Sequence, residues 1–122
     1  MSFDAILNEI VTSCPGCQGV ALMGSDGIPI AQTVAGGGAD LDDVVSVMGI
    51  EFGRILDESR KAADSVEGGG LEELLVRMGT TQVALRIVDA ETYLVMVLTG
   101  SGNAGKGRFL MRRHLNALRE QL

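Results

Sequence analysis

Two apolar runs, residues 19–24 (GVALMG) and 28–34 (IPIAQTV), flank Ser25-Asp26-Gly27. A D-G pair between such runs predicts a tight hairpin of two antiparallel strands. Pro29 constrains the hairpin further. A proline has no N–H to donate to a ladder, so it is confined to sheet edges, strand starts or bulges. The second strand is therefore expected to close one border of its sheet to further pairing.

The rest of the chain is built around this hairpin. Before it, Phe3, Ile6, Leu7, Ile10 and Val11 form a helical stripe opened by a potential cap, Ser2. That helix should stop at Cys14-Pro15-Gly16-Cys17. After the hairpin, residues 35–39 (AGGGA) read as a flexible connector, and Asp40 with Asp43 as a carboxylate-rich helix start. Apolar residues then recur at spacings of three and four from Leu41 to Val66, predicting a helix of about 25 residues. It ends before a second triple glycine, residues 68–70. Three strands follow, at 72–78, 82–88 and 92–99. The last, TYLVMVLT, is apolar almost without alternation, as expected of a central strand covered on both faces. A final helix is expected at 104–121. One α+β domain over residues 1–122 results, a five-stranded antiparallel sheet with helices packed over its faces.

Composition limits what such a domain does. Hydrophobic residues make up 46% of the 122 positions but aromatics only 3%, with no Trp, so a stacking platform for bases or a flat cofactor is hard to assemble. The net charge of -6 has the wrong sign for a phosphate backbone, and nucleic acid is not an expected partner. Charge is nonetheless uneven: Lys106, Arg108, Arg112, Arg113 and Arg119 place half of the ten basic residues in the last 17 positions. No apolar run reaches the roughly 18 to 20 residues that span a bilayer, so no membrane association is expected. An acidic start and only two cysteines point to the cytoplasm.

Several stretches resemble chemical motifs. Cys14 and Cys17 have C-x-x-C spacing, but redox couples of that spacing sit at a helix start, where the positive dipole end favours the thiolate. Here a helix ends at the motif, and the dipole works against it. A structural zinc site wants four ligands, which two cysteines and one histidine do not supply unless two copies combine. A helix-to-strand turn is the plainer reading. Residues 100–106 match G-x-x-x-x-G-K between a strand and a helix, yet Gly107 stands where a phosphate-binding loop needs Ser or Thr for magnesium. A solvated loop, with at most weak anion affinity from Lys106 and Arg108, is expected there. His114 has no catalytic company in the sequence. The acidic pairs Asp42-Asp43 and Glu72-Glu73 read as solvated termini. No catalytic residue, metal ligand or cofactor site is assigned.

The long helix carries Gly49 and Gly53, each costing about 1 kcal/mol relative to Ala in a helix interior. Glycines four apart beside an apolar stripe suggest a groove into which another helix fits closely; packing against the chain's own sheet is the alternative. The sheet's second border should be the strand at 72–78, where Leu75 and Val76 sit beside unpaired backbone, a template for a second copy.

These features resemble the Roadblock domain family, known from a dynein light chain. Residues 15–31, PGCQGVALMGSDGIPIA, are similar to its opening hairpin, and Asn103-Ala104-Gly105 with Arg108 to the start of its last helix. Cys14 and Cys17 depart from the pattern. The resemblance implies a profilin-like fold, a long helix on one face of the sheet and two terminal helices on the other. It implies a homodimer with long helices side by side and edge strands joined, placing Val45, Gly49, Phe52, Gly53 and Leu56, with Leu75 and Val76, at the dimer interface. It also implies a non-enzymatic platform for a Ras-like small GTPase, in some members stimulating GTP hydrolysis. A ligand-sensing module, and a redox or zinc protein using the cysteine pair, remain the rival readings.

Overall fold

Ser2 caps the first helix, its hydroxyl accepting from the Ala5 N–H at 3.1 Å. In the computed structural model, which describes all 122 residues, this helix, α1, spans Phe3–Ser13 and buries Ile6, Leu7, Ile10 and Val11. The hairpin follows as β1 (Cys17–Gly24) and β2 (Pro29–Val34). Gly27 takes φ +84° at its turn, and Asp26 accepts from the Ile28 N–H through its carboxylate at 3.0 Å. Pro29 is the first residue of β2, opposite Met23 at a register shift in β1. The strand start and the irregularity are both places where a missing donor is tolerated.

A short 3-10 turn at Ala35–Gly37 leads into α2 (Ala39–Ser65), 27 residues long. Its N-cap is Gly38, which makes no side-chain capping bond. The carboxylate-rich helix start is where expected: Asp40 and Asp42 lie inside the first turn, where they meet the positive helix end without capping it. Gln32 of β2 fastens this turn, donating its amide to the Asp42 carboxylate at 2.8 Å while accepting from Ser46 Oγ at 3.1 Å.

β3 (Glu73–Arg77), β4 (Thr81–Ile87) and β5 (Thr92–Thr99) complete an antiparallel sheet of order β2-β1-β5-β4-β3. β5 is the central strand and is buried over seven of its eight residues. β2 and β3 are the two borders.

Side chains alternate between the two faces. On one, Val20, Leu22, Leu94, Met96 and Leu98 pack beneath α1, α3 (Ala104–Arg113) and α4 (Leu115–Gln121). On the other, Ala21, Met23, Val83, Leu85, Tyr93, Val95 and Val97 pack beneath α2. Aliphatic interdigitation carries both layers, each fully buried large side chain contributing roughly 1.5–3 kcal/mol.

The expected single C-terminal helix is two helices. His114 sits at the break with φ -96° and ψ 2°, its backbone N–H shared between the Leu110 and Met111 carbonyls. Its imidazole Nδ1 lies 2.8 Å from the Leu110 carbonyl, so that nitrogen carries the proton and donates. The ring's other nitrogen lies 3.5 Å from the Glu9 carboxylate on α1. Beyond the break Leu115 and Leu118 are buried.

Candidate interaction surface

The two stretches that look most like chemistry hold each other. Cys14 ends α1, Gly16 turns the chain with φ +80°, and Cys17 begins β1. Gly16 sits so close to Gly102 that a Cβ on it would collide with the Gly102 Cα. The Pro15 carbonyl accepts from the Asn103 N–H at 3.0 Å and the Gly16 carbonyl from the Thr99 N–H at 2.9 Å. Beneath them the buried amide of Gln82 donates to the carbonyls of Thr99 and Gly102, each at 3.1 Å.

A phosphate cradle needs several free backbone N–H groups, and most of this loop's are engaged within the chain. Those of Gly100, Gly102, Ala104 and Gly107 reach carbonyls of the chain, and that of Lys106 reaches the Asn103 side chain at 2.9 Å. The loop is exposed at Gly100, Ser101, Asn103, Gly105 and Lys106, as expected, and it also clasps the turn between α1 and β1.

Both thiols are buried and free. Burial pushes Cys17 up to about 12, with its neighbour Cys14 adding to the effect. Burial also raises Cys14, partly offset by the Lys106 charge. The thiolate is both the nucleophile and the metal ligand, so this pair is held in its unreactive form at neutral pH. No group of three or more His, Cys, Asp or Glu side chains comes together to hold a metal. The cysteine pair acts as small apolar filling beneath α1.

On α2 the structure corrects the reading of the glycines. Val45 and Leu56 are buried in the chain's own core. A Cβ on Gly49 would stand 3.2 Å from the Met23 sulfur, and one on Gly53 would run into the Tyr93 hydroxyl, with Cζ 2.8 Å away. Tyr93 Oη donates to the Gly49 carbonyl at 3.0 Å. The glycines therefore admit a tyrosine from the central strand, and the groove faces inward. Of the five helix positions expected to meet a second helix, Val45, Gly49, Gly53 and Leu56 face or enter the sheet, and Phe52 is half-buried on the core's rim.

The outward side of α2 is apolar as well. Val44, Val47, Ile50 and Ile55 are each 41% to 58% exposed. Charged residues share this side: Glu51, Arg54 and Glu58 line the same surface as Ile50 and Ile55, and the ion pairs there are Arg54–Glu51 and Lys61 with Asp57 and Glu58. The sequence periodicity counts Val44 and Ile55 in the apolar repeat of the helix without separating an outward side, and does not single out Val47 and Ile50.

β3 is the open border of the same sheet. It pairs only with β4, and Leu75 is 37% exposed on it. Leu75 and Val76 thus sit where expected, on opposite faces of an edge whose outer backbone groups have no strand partner.

Solved structures share this fold. The chain is similar over its whole length to the whole of MglC from Myxococcus xanthus, at 30% identity and a TM-score of 0.71. It is similar to a Roadblock/LC7 domain from Streptomyces avermitilis with a TM-score of 0.83 and 16% identity, over 98% of this chain and 97% of that one. Acanthamoeba castellanii profilin IA shares the fold more distantly, with a TM-score of 0.57 and 16% identity over 98% of each chain. No protein-family model and no curated protein sequence matches it. The chain belongs to the Roadblock domain family, and its fold is the profilin-like α+β sandwich.

Proposed function

We propose that this protein is a homodimeric, non-enzymatic scaffold that binds a Ras-like small GTPase in the cytoplasm and modulates its GTP hydrolysis. The observation that carries the reading is the second apolar side of α2, with Val44, Val47, Ile50 and Ile55 held out to solvent, in a chain whose sheet also has the edge strand β3 without an outer partner. Exposed large aliphatics concentrated on one element mark an interaction surface rather than scattered surface residues. Two copies related by a twofold axis cover this surface with its own equivalent, α2 against α2 and β3 against β3. Phe52, Leu75 and Val76 belong to that interface, and Val45, Gly49, Gly53 and Leu56 support it from beneath.

The paired helices then form a platform on one side of a continuous sheet, broad enough to receive a folded partner. Family membership favours a small GTPase as that partner. No helix is long and apolar enough to cross a membrane.

The reading is tested by mixing the protein with small Ras-like GTPases of the same genome, loaded with GDP or a non-hydrolysable GTP analogue. Co-elution with one GTPase in one nucleotide state, together with a changed rate of phosphate release, is expected. Failure to bind any of them in either state leaves a scaffold without GTPase function.

A further inference from the structure

The face of the sheet opposite α2 carries a different surface. Glu73 on β3 is the carboxylate at its centre: Arg108 of α3 hydrogen-bonds one oxygen, and Arg86 of β4 lies 3.7 Å from the other. The bond from Arg108 holds the Glu73 carboxyl below the ordinary glutamate range against the opposing effect of burial, and Arg86 and Arg112 lower it further.

Acceptors are short in this cluster. The Arg86 Nε is buried with no hydrogen-bond partner. Arg112, one turn beyond Arg108 on the exposed side of α3, has no carboxylate within ion-pair distance; its guanidinium sits over the Phe109 ring at 5.9 Å from the centroid. Phe109 is itself 44% exposed. Guanidiniums exceed carboxylates around an exposed aromatic ring, in a chain that elsewhere is strongly acidic.

We propose that the outer face of α3 docks an acidic segment of a protein partner, its carboxylates meeting Arg108 and Arg112 and an apolar side chain among them covering Phe109. Planar guanidiniums match carboxylates in a two-bond geometry, and aromatic and arginine side chains are the groups that most often anchor interfaces. Charge complementarity selects the occupant. A short acidic segment meets only this basic face, whereas an anionic bilayer meets the field of a body carrying a net charge of -6. The site is on the far side of the sheet from α2, so its occupancy does not depend on the GTPase reading.

The test uses the whole protein and a fluorescein-labelled peptide of about a dozen residues in a repeating Glu-Glu-Leu pattern, read by fluorescence anisotropy. Arg112→Glu and Phe109→Ala are the variants, because both leave the Glu73–Arg108 bond in place; an unchanged melting temperature verifies their folding. Saturable binding that weakens at higher salt is expected, with each variant losing at least about fivefold in affinity. Arg60→Glu on α2, which lies off the outward aliphatic side and changes the net charge as much as Arg112→Glu does, should leave binding unchanged. Four outcomes overturn the proposal: no peptide binding, an equal loss in Arg60→Glu, tighter binding to phosphatidylserine vesicles than to the peptide, or a change of oligomeric state in Arg112→Glu. The last would make a second copy the occupant.

Discussion

At Gly53 the separation of α2 from the sheet is set by the absence of a single methyl group. The Tyr93 hydroxyl occupies the space a Cβ would need, and its ring is held from the other side by the central strand. Gly53→Ala should therefore destabilise the fold by about 1–3 kcal/mol through overpacking, reduced by the helix-propensity gain of about 1 kcal/mol. Gly49→Ala meets only the flexible end of Met23, so it should be neutral or stabilising. Urea unfolding of the two variants checks the contrast. Equal effects would contradict the placement of Tyr93. Glu73 gives a residue-level test that depends on pH. Its folded-state pKa lies below its unfolded value, so its contribution is complete above the ordinary glutamate range and vanishes as pH falls through the lowered value. The pair is partly exposed and screened, so Glu73→Gln should cost no more than about 1 kcal/mol near neutral pH. The gap to the parent protein should close in acid; a gap that stays constant with pH would show that the carboxylate charge is not what matters.

Elements were legible in the sequence wherever periodicity and turn chemistry agreed. The Asp26-Gly27 turn and Pro29 fixed the hairpin and one border, and the unbroken apolar run of β5 marked the centre of the sheet. Ser2 identified the start of α1. What periodicity did not reveal was direction. Gly49 and Gly53 lie beside an apolar stripe in either reading, and only the position of Tyr93, 40 residues beyond Gly53, shows that they face inward. The C-terminal break at His114 was equally hidden, because His has no breaking tendency of its own, and Leu115 and Leu118 beyond it keep the apolar spacing of a continuing helix and are buried. The clasp between the cysteine turn and the glycine loop depends on Gln82, a residue with no local signature at all.

At the scale of the whole molecule, the two faces of the sheet carry opposite characters. One bears a long helix with aliphatics on both its sides and charged residues among the outer ones. The other bears short helices with guanidiniums around an exposed phenylalanine. The sheet between them ends in β3, whose outer edge is open. Under the readings proposed above, such a body meets its own twin through one face and an acidic partner through the other. Pairing through the outer side of α2 and the β3 edge is the claim on which the functional reading depends. Sedimentation velocity across a dilution series into the low micromolar range tests it most directly, run beside Val47→Lys/Ile50→Lys, which charges the outer side without touching the core. The parent chain should sediment at twice its 12.8 kDa mass and the variant as a folded single chain; a parent protein that runs as a stable 12.8 kDa species throughout would contradict the account.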